Sequence, residues 1–218
     1  MAGTILIGSR RYSSWSLRGW MAIKLARLDV EEHVVALKGG GKTTEIHALS
    51  PNKLVPYLQH DGARVWESLS ICEYCADIEP SLWPQERVAR AHARSISAQM
   101  HAGFRALRQA CPMDVERVPA PLEEISDELA ADVAFLNSTL LEALTRSGVV
   151  TPYLFGAEPT IADCMYAPVA LRIYEYALDV DPVVQGWVET ILAHPLVREW
   201  CVAAEAEPAG WRLSYTDK

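Results

Sequence analysis

The stretch Ser13-Ser14-Trp15-Ser16-Leu17-Arg18 separates a short apolar segment from a helical pattern. The apolar segment Thr4–Ile7 predicts a strand, and the apolar residues that follow the stretch recur at the period of a helix. Serine is favoured at a helix start because its hydroxyl accepts a hydrogen bond from a free backbone N–H of the first turn. The same helix start offers unpaired N–H groups and a partial positive charge, which favour a bound anion such as a thiolate. The stretch therefore predicts either a helix cap alone or a cap that is also an anion site.

Size and composition limit the class of protein. The 218 residues are 50% hydrophobic and 22% charged, which is enough apolar material for one large or two small folded domains. A net charge of −8, without a run of Lys or Arg, argues against nucleic acid as a partner. The chain shows neither a secretory signal nor an apolar run of membrane-spanning length, so we expect a cytoplasmic protein that does not cross a membrane. Its five cysteines are then expected as reduced thiols, and no metal site is expected.

Strand and helix signals alternate in the first third of the chain and become purely helical afterwards. The expected strands are Thr4–Ile7, Glu32–Leu37, Leu54–Leu58 and Arg64–Trp66. Helical patterns follow the first, second and fourth of these strands. Two prolines within Glu79–Pro84 indicate a linker. The prediction is an α/β domain of order βαβαββα over residues 1–79, a linker over 80–86 and an all-α domain over 87–218.

Three patterns in the helical part carry specific predictions. An apolar stripe over Ile96–Leu107 predicts a single helix that ends at Cys111-Pro112. A longer stripe over Leu122–Leu144 predicts a second helix. The segment Thr160–Asp163 fits a capping box ahead of an apolar helix, in which Pro168 should produce a kink.

Two other motifs offer competing assignments. Residues Ala36–Thr43 come close to a phosphate-binding loop, with Ala36 in place of the first glycine. The chain downstream is mostly helical and supplies no further buried strand for a Mg²⁺-binding aspartate, so a flexible glycine loop is the simpler interpretation. Cys72 and Cys75 form a C-x-x-C pair, but they lie one turn inside a helix rather than at its start. That position favours buried thiols over redox chemistry.

Four motifs, in the same order and spacing as in the cytosolic glutathione transferases, carry a family resemblance. Ser13–Arg18 resembles the Ser-Ser-Cys-Ser-Trp-Arg stretch of the zeta class and, more loosely, the Ser-Pro-Phe of the tau class. Ser50–Pro56 resembles the family's Asn-Pro-x-Lys-x-Val-Pro, whose proline is cis. Glu67-Ser68 resembles the acidic–serine pair that holds the γ-glutamyl end of glutathione, and Gly156–Asp163 resembles the folding box of the sixth helix. The resemblance covers about residues 4–206 and implies a thioredoxin-like domain followed by a helical bundle.

Two positions depart from the zeta and tau patterns. Trp15 stands where the zeta class has a cysteine, and Leu54 stands where both classes place a polar residue before the valine. The resemblance implies a glutathione transferase that works as a homodimer, with glutathione as co-substrate and a small electrophile as second substrate. The departures leave two alternatives open. One is a glutathione-dependent isomerase of the maleylacetoacetate type, and the other is a protein that binds glutathione or an apolar ligand without turnover.

The resemblance also implies a role for individual residues. Ser13 is the implied partner of the thiolate, with Ser14 as its helper, acting as preplaced donors rather than as bases; Ser16 is then expected to be the helix cap. The implied glutathione-binding residues are Ser13, Lys42, Lys53, Val55, Pro56, Glu67 and Ser68. Of these, Val55 presents its backbone to the cysteinyl unit, Glu67 and Ser68 hold the γ-glutamyl end, and Lys42 or Lys53 holds the glycyl carboxylate.

The second substrate is expected between the two domains. Its candidate contacts are Trp15, His101, Phe104 and Arg108. The spacing of His101, Phe104 and Arg108 predicts that the three side chains share one helix face.

Overall fold

The N-terminal part of the chain folds as a four-stranded sheet with three helices. The structure is a computed structural model that describes residues 3–39 and 42–213. The strands are β1 (Gly3–Gly8), β2 (Val30–Val35), β3 (Tyr57–His60) and β4 (Ala63–Trp66), and the helices are α1 (Ser14–Leu25), α2 (Thr44–Leu49) and α3 (Ser68–Ile78). The glycine loop predicted after β2 includes residues 40 and 41, which lie outside the described residues.

The sheet has the strand order β2-β1-β3-β4. Strand β1 runs parallel to β2 and antiparallel to β3, and β3 and β4 form an antiparallel pair. A parallel pair requires a crossover connection, which α1 provides between β1 and β2. The predicted βαβαββα order is therefore confirmed, and the carboxyl end of β1 leads directly into the serine-rich start of α1.

The C-terminal part of the chain is helical. Its helices are α4 (Arg87–Ala102), α5 (Arg105–Ala110), α6 (Asp127–Thr145), α7 (Ile161–Glu175), α8 (Pro182–Ala193) and α9 (Pro195–Glu205). Helix α7 is buried over almost its whole length and contacts α1, α3, α4 and α8. Among the described residues, no helix combines the length and the apolar character that crossing a lipid bilayer requires.

Helix α1 is the element on which both parts of the chain pack. It contacts α3 within the sheet domain and contacts α7 and α9 of the helical domain. The ring of its buried Trp20 lies 5.2 Å from the ring of Trp200 in α9. A single apolar cluster continues from the sheet domain into the helical domain. The contacts of α1 therefore hold its serine-rich start in place relative to the sheet domain and the helical domain. The predicted domain limits at residues 79 and 87 stay a proposal.

The apolar stripe over Ile96–Leu107 does not form one helix, so that prediction is wrong. Helix α4 ends at Ala102, Gly103 is extended, and Phe104 adopts a left-handed conformation before α5 begins. A Cβ atom at Gly103 would lie 2.9 Å from the carbonyl oxygen of Gln99, so the chain leaves α4 by a route that only glycine takes without a clash.

The prediction for α6 is also wrong at its N-terminus. The helix begins at Asp127, after Leu122 and Ile125, and the Ile125 side chain is 58% exposed. The hydroxyl of Ser126 caps the helix by accepting the N–H of Leu129 at 3.2 Å. A serine cap followed by two acidic residues defines a helix start more strongly than apolar spacing does, because it pairs the free N–H groups and complements the helix dipole.

Two further predictions in the core are confirmed. The Asp163 carboxylate accepts the N–H of Thr160 at 2.8 Å, which closes the predicted capping box of α7. Helix α7 continues through Pro168, and the kink expected there stays a prediction. Cys72 and Cys75 lie inside α3 and are fully buried, and burial raises the pKa of Cys75 to about 12. Such thiols stay protonated, as expected for packing residues.

Candidate active site

A cleft of about 870 Å³ opens between the sheet domain and the helical domain. The start of α1 and the loop over residues 52–55 form one wall, and α5 forms the opposite wall. Ser13, Ser14 and Trp15 lie together at the bottom of the first wall. The serine-rich stretch therefore faces this cleft between the two domains.

Ser13, rather than Ser16, is the cap of α1. Its hydroxyl oxygen accepts the backbone N–H of Ser16 at 3.3 Å and lies 2.8 Å from the Ser16 hydroxyl oxygen, within hydrogen-bond distance. The Ser16 hydroxyl in turn accepts the N–H of Gly8 at 3.1 Å, so Ser16 ties the helix start to the end of β1. The prediction that Ser16 is the cap is wrong, because the helix begins one turn earlier than it assumed. Ser13 lines the cleft while it performs the capping role.

Ser14 is held from behind by a buried guanidinium. Its hydroxyl oxygen accepts a hydrogen bond from Nη2 of Arg172 at 3.3 Å. Arg172 is 3% exposed, and its Nε donates to the carbonyl of Cys111 at 2.7 Å. Burial lowers the pKa of Arg172 to about 10, and the attraction of Glu175 only partly offsets it. Because Arg172 already occupies one acceptor position of the Ser14 oxygen, the Ser14 hydroxyl hydrogen remains available to the cleft.

Trp15 lies at the centre of a cluster of cationic and aromatic side chains. The guanidinium carbon of Arg18 lies 4.4 Å from the Trp15 ring centroid, and that of Arg108 lies 5.2 Å from it. The ring of His101 meets the Trp15 ring edge-on at 5.3 Å. Since Arg18 belongs to α1, His101 to α4 and Arg108 to α5, the indole joins three helices.

Arg18 is fully buried beneath this cluster. Its Nε donates to the carbonyl of Met165 at 2.9 Å, whereas Nη1 and Nη2 have no hydrogen-bond partner among the described residues. Burial, together with repulsion from Arg172 and Arg108, lowers the pKa of Arg18 to about 9. A buried cation is costly unless an anion or a polar partner compensates it.

The loop before β3 supplies the opposite side of the same wall. The Val55–Pro56 peptide bond is cis, as predicted. Val55 is half-buried and lines the cleft, and the exposed Lys53 lines it with a backbone φ of 61°. The Asn52 amide donates to the Glu67 carboxylate at 3.1 Å, which joins this loop to the start of α3.

Glu67 and Ser68 form a second helix start beside the cleft. Glu67 precedes α3 with φ 68° and ψ 127°, a conformation that a non-glycine residue rarely adopts and that is concentrated at functional sites. The Ser68 hydroxyl is buried without a hydrogen-bond partner among the described residues. Nε2 of His101 lies 3.6 Å from the Glu67 carboxylate. Burial lowers the pKa of His101, against the raising effect of Glu67.

Two family models match this chain. The model described as "Glutathione S-transferase, N-terminal domain" matches residues 12–78, and the model described as "Glutathione S-transferase, C-terminal domain" matches residues 89–203. The second match alone covers more than half of the chain. The chain belongs to the glutathione S-transferase family.

Curated relatives of this glutathione S-transferase carry a narrower name. The "Maleylacetoacetate isomerase" of Mus musculus is 30% identical over 83% of both chains. The "Probable maleylacetoacetate isomerase" of Caenorhabditis elegans is 28% identical over 79% of both chains.

Solved structures share the fold. A glutathione transferase homolog from Burkholderia gl BGR1 with bound glutathione is 24% identical, with a TM-score of 0.71 over 95% of this chain and 100% of that one. Maleyl pyruvate isomerase, described as a bacterial glutathione S-transferase in the zeta class, is 21% identical, with a TM-score of 0.71 over 94% of this chain and 99% of its own. These likenesses confirm the predicted thioredoxin-like and helical domains.

The predicted site residues of this glutathione S-transferase fall into three groups. Those on the main cleft are Ser13, Ser14, Trp15, Lys53, Val55 and Arg108. Glu67 and His101 line an adjoining depression. Lys42, Pro56, Ser68 and Phe104 line neither. Lys42 is exposed, Pro56 and Ser68 are buried, and Phe104 is buried with its ring 5.9 Å from Phe135. His101, Phe104 and Arg108 do not share a helix face, because α4 ends before Phe104.

The sequence did not predict several residues that line the cleft, and three of them bear on its chemistry. Arg105 of α5 and Met113 lie on its helical wall, and Arg172 reaches its floor from α7. Arg172 left a signal in the sequence, since it is the only basic residue in the apolar run over Ile161–Tyr174. A charged residue within a buried helix needs a partner, and here the partner is the start of α1.

Proposed function

We propose that this glutathione S-transferase family member is a glutathione-dependent enzyme that holds the thiol of glutathione at the start of α1 and uses the thiolate against a small electrophile. The observation that carries the proposal is the placement of two buried serine hydroxyls, on Ser13 and Ser14, at a helix N-terminus that lines the cleft. A helix N-terminus and hydroxyl donors stabilise an anion without acting as a base.

The neighbouring groups suit the rest of the tripeptide. The backbone of Val55 beside the cis proline suits the cysteinyl unit, which can pair with it in the manner of an added strand. At the start of α3, the Ser68 hydroxyl, which has no partner in the part of the chain that the structure describes, and the N–H groups of the first turn suit the γ-glutamyl carboxylate. Glu67 suits the ammonium of the same unit. Of the two lysines considered for the glycyl carboxylate, Lys53 has the better position, because it lines the cleft.

The second substrate binds, on this proposal, between Trp15 and the wall formed by α5. Arg105 and Arg108 project from that wall, and neither forms an ion pair with a carboxylate among the described residues. Their charges favour a substrate that carries a carboxylate. Trp15 and Met113 supply the apolar remainder of the wall.

This cationic wall favours a second candidate function, an isomerase of the maleylacetoacetate type. Relatives carry that name, and a doubly acidic substrate matches two arginines. A transferase keeps the sulfur bonded to the product, whereas an isomerase releases glutathione unchanged after the thiolate has added to the double bond. Trp15, in the position of the zeta cysteine, distinguishes this chain from that class.

The proposal includes a homodimer in the cytoplasm with a role in detoxification. The five cysteines are all free in the structure, which agrees with a reducing compartment. Light scattering of the purified protein measures the assembly, for which we expect twice the mass of the 24.2 kDa chain.

Calorimetric titration with glutathione tests the binding step. We expect saturable binding in the millimolar range or tighter, and its absence would refute the proposal.

Product analysis then separates the functions. A glutathione conjugate formed from a chloronitrobenzoate supports the transferase, and conversion of maleylacetone to its trans isomer with glutathione recovered supports the isomerase. Binding without turnover of either compound, or of isothiocyanates and peroxides, would leave a glutathione-binding protein.

A further inference from the structure

Three buried or half-buried arginines surround the start of α1 and repel one another. Arg18 lies in α1, Arg108 in α5 and Arg172 in α7. The charges of Arg172 and Arg108 lower the pKa of Arg18, and the charge of Arg108 lowers the pKa of Arg172. Among the described residues, no carboxylate lies within ion-pair distance of any of the three, since the described ion pairs all involve other cations. The free protein therefore holds an excess of positive charge where it also presents Ser13 and Ser14.

Such a cluster is unfavourable by itself. Burying a cation without a counter-charge costs free energy, and like charges at close range add to that cost. An anion bound beside the cluster offsets part of this free-energy cost, so the cluster favours the anionic form of a ligand over the neutral form. The anion that the proposed reaction brings to this position is the sulfur of glutathione.

Arg172 has the most direct path to that sulfur. Its Nη2 donates to the Ser14 hydroxyl oxygen at 3.3 Å, while Nε and Nη1 are fixed on the carbonyls of Cys111 and Pro168. Three hydrogen bonds hold the guanidinium in place, and the charge on its Nη2 polarises the Ser14 hydroxyl toward the cleft. Arg172 also lines the cleft itself.

We propose that Arg172 is a positioning residue that acts through Ser14, and that with Arg18 it supplies the positive charge that keeps the glutathione sulfur ionised. The inference rests on the proposed function, because it requires glutathione in the cleft. Ser13 remains the direct partner of the sulfur, and Arg172 sets the electrostatic potential beneath it. The thiol proton leaves to solvent, and no other group changes its bonding.

Other titratable groups face Arg172 and bear on any pH profile. They are Arg18 from α1, Arg108 from α5, Cys111 from the segment after α5, and Glu175 and Tyr176 at the end of α7. Glu175 is the only carboxylate among them. Burial raises its pKa to about 7. Below neutral pH, Glu175 is therefore mostly protonated, and its carboxylate no longer opposes the charge of Arg172.

The test measures the pKa of the bound thiol from the ultraviolet absorbance of the thiolate as a function of pH. Arg172→Gln removes the charge and keeps an amide donor, Arg172→Lys keeps the charge, and Ser14→Ala removes the hydroxyl. We expect Arg172→Gln to raise the bound thiol pKa by about one unit, which lowers the thiolate fraction near neutral pH about tenfold. Arg172→Lys should restore most of the wild-type value, and Ser14→Ala should raise it by a smaller amount.

Two controls make the result specific. Arg198→Gln removes an equal charge from an exposed position on α9, and it should leave the bound thiol pKa unchanged. S-methylglutathione has no ionisable thiol, so its affinity should be the same for wild type and Arg172→Gln. A change in that affinity equal to the change for glutathione would identify Arg172 as a merely structural residue.

The outcomes separate the inference from the proposed function. If wild type binds neither glutathione nor S-methylglutathione, the proposed function fails and the inference fails with it. If wild type binds both and Arg172→Gln leaves the thiol pKa unchanged, only the inference is overturned. If Arg172→Gln does not fold, Ser14→Ala decides, and an unchanged thiol pKa in that variant overturns the path through Ser14.

Discussion

The hydroxyl of Ser13 lies 2.8 Å from the hydroxyl of Ser16 and accepts the Ser16 N–H at 3.3 Å, so the implied thiolate partner is also the cap of α1. If the proposed function is right, a single side chain has a structural and a chemical role. The two roles make separable contributions to stability and to rate.

Ser13→Ala should therefore reduce both quantities. Loss of the cap should lower the free energy of unfolding by about 1 kcal/mol, and loss of a preplaced donor should lower kcat about 100-fold, the small end of the range measured for oxyanion holes. Thermal unfolding and steady-state kinetics measure the two effects. Ser126→Ala removes the matching cap of α6, away from the cleft, and should cost similar stability with kcat intact. A Ser13→Ala variant with wild-type kcat would show that Ser13 is a cap alone.

Gly103 should resist substitution because of its neighbour. In Gly103→Ala the new methyl group would lie 2.9 Å from the Gln99 carbonyl oxygen, and the repacking should cost about 1–3 kcal/mol. Gly186 of α8 provides the control, since a Cβ atom there meets nothing within 4 Å. Gly186→Ala should stabilise the protein by about 0.5–1 kcal/mol through helix propensity. Denaturant unfolding of both variants checks the pair, and equal effects would argue against the described end of α4.

Glu175 should make stability depend on pH. Burial raises its pKa from 4.5 to about 7, so between these values the folded state binds a proton that the unfolded state releases. Stability from this group is therefore present below about pH 4.5 and declines as pH rises toward 7. Glu175→Gln should remove the decline, worth roughly 3 kcal/mol at most. Urea unfolding at pH 5 and pH 8 measures it, with the exposed Glu189→Gln as control; an identical pH dependence in wild type and Glu175→Gln would contradict the assignment.

Arg108 should determine the preference for charged electrophiles. Arg108→Met removes a cation from the wall of the cleft, so KM for a chloronitrobenzoate should rise about tenfold, the loss of a modest ion pair. KM for the uncharged chloronitrobenzene of the same shape should change little, which makes that substrate the matched control. A parallel rise for both substrates would indicate that Arg108 supports the fold of α5 instead of the charge of the substrate.

The sequence predicted the elements whose signals are local. The capping box at Thr160–Asp163 and the helix that follows the strand over Arg64–Trp66 depend on neighbouring residues, so both could be predicted from spacing. Apolar spacing predicted the wrong end for α4, because that end depends on how closely the chain at Gly103 approaches Gln99. It also predicted the wrong start for α6, because the polar cap beside Ile125 overrides apolar spacing.

The candidate site shows the same division. The motifs identified the serines and the cis proline because each motif consists of residues that are neighbours in the sequence. The contact between Ser14 and Arg172 joins residues 158 positions apart, so spacing alone could not reveal it. Phe104 was misplaced for a related reason, because its assignment to the cleft assumed a helix that ends two residues before it.

The ionisation of glutathione bound to the wild-type protein tests the proposed thiolate site most directly. The ultraviolet absorbance of the thiolate, titrated against pH with S-methylglutathione as the blank, gives the pKa of the bound thiol. We expect a value at least one unit below that of a free cysteine-like thiol, about 8.5. A bound thiol that titrates at the free value, or glutathione that does not bind at all, would contradict the claim that the start of α1 is a thiolate site.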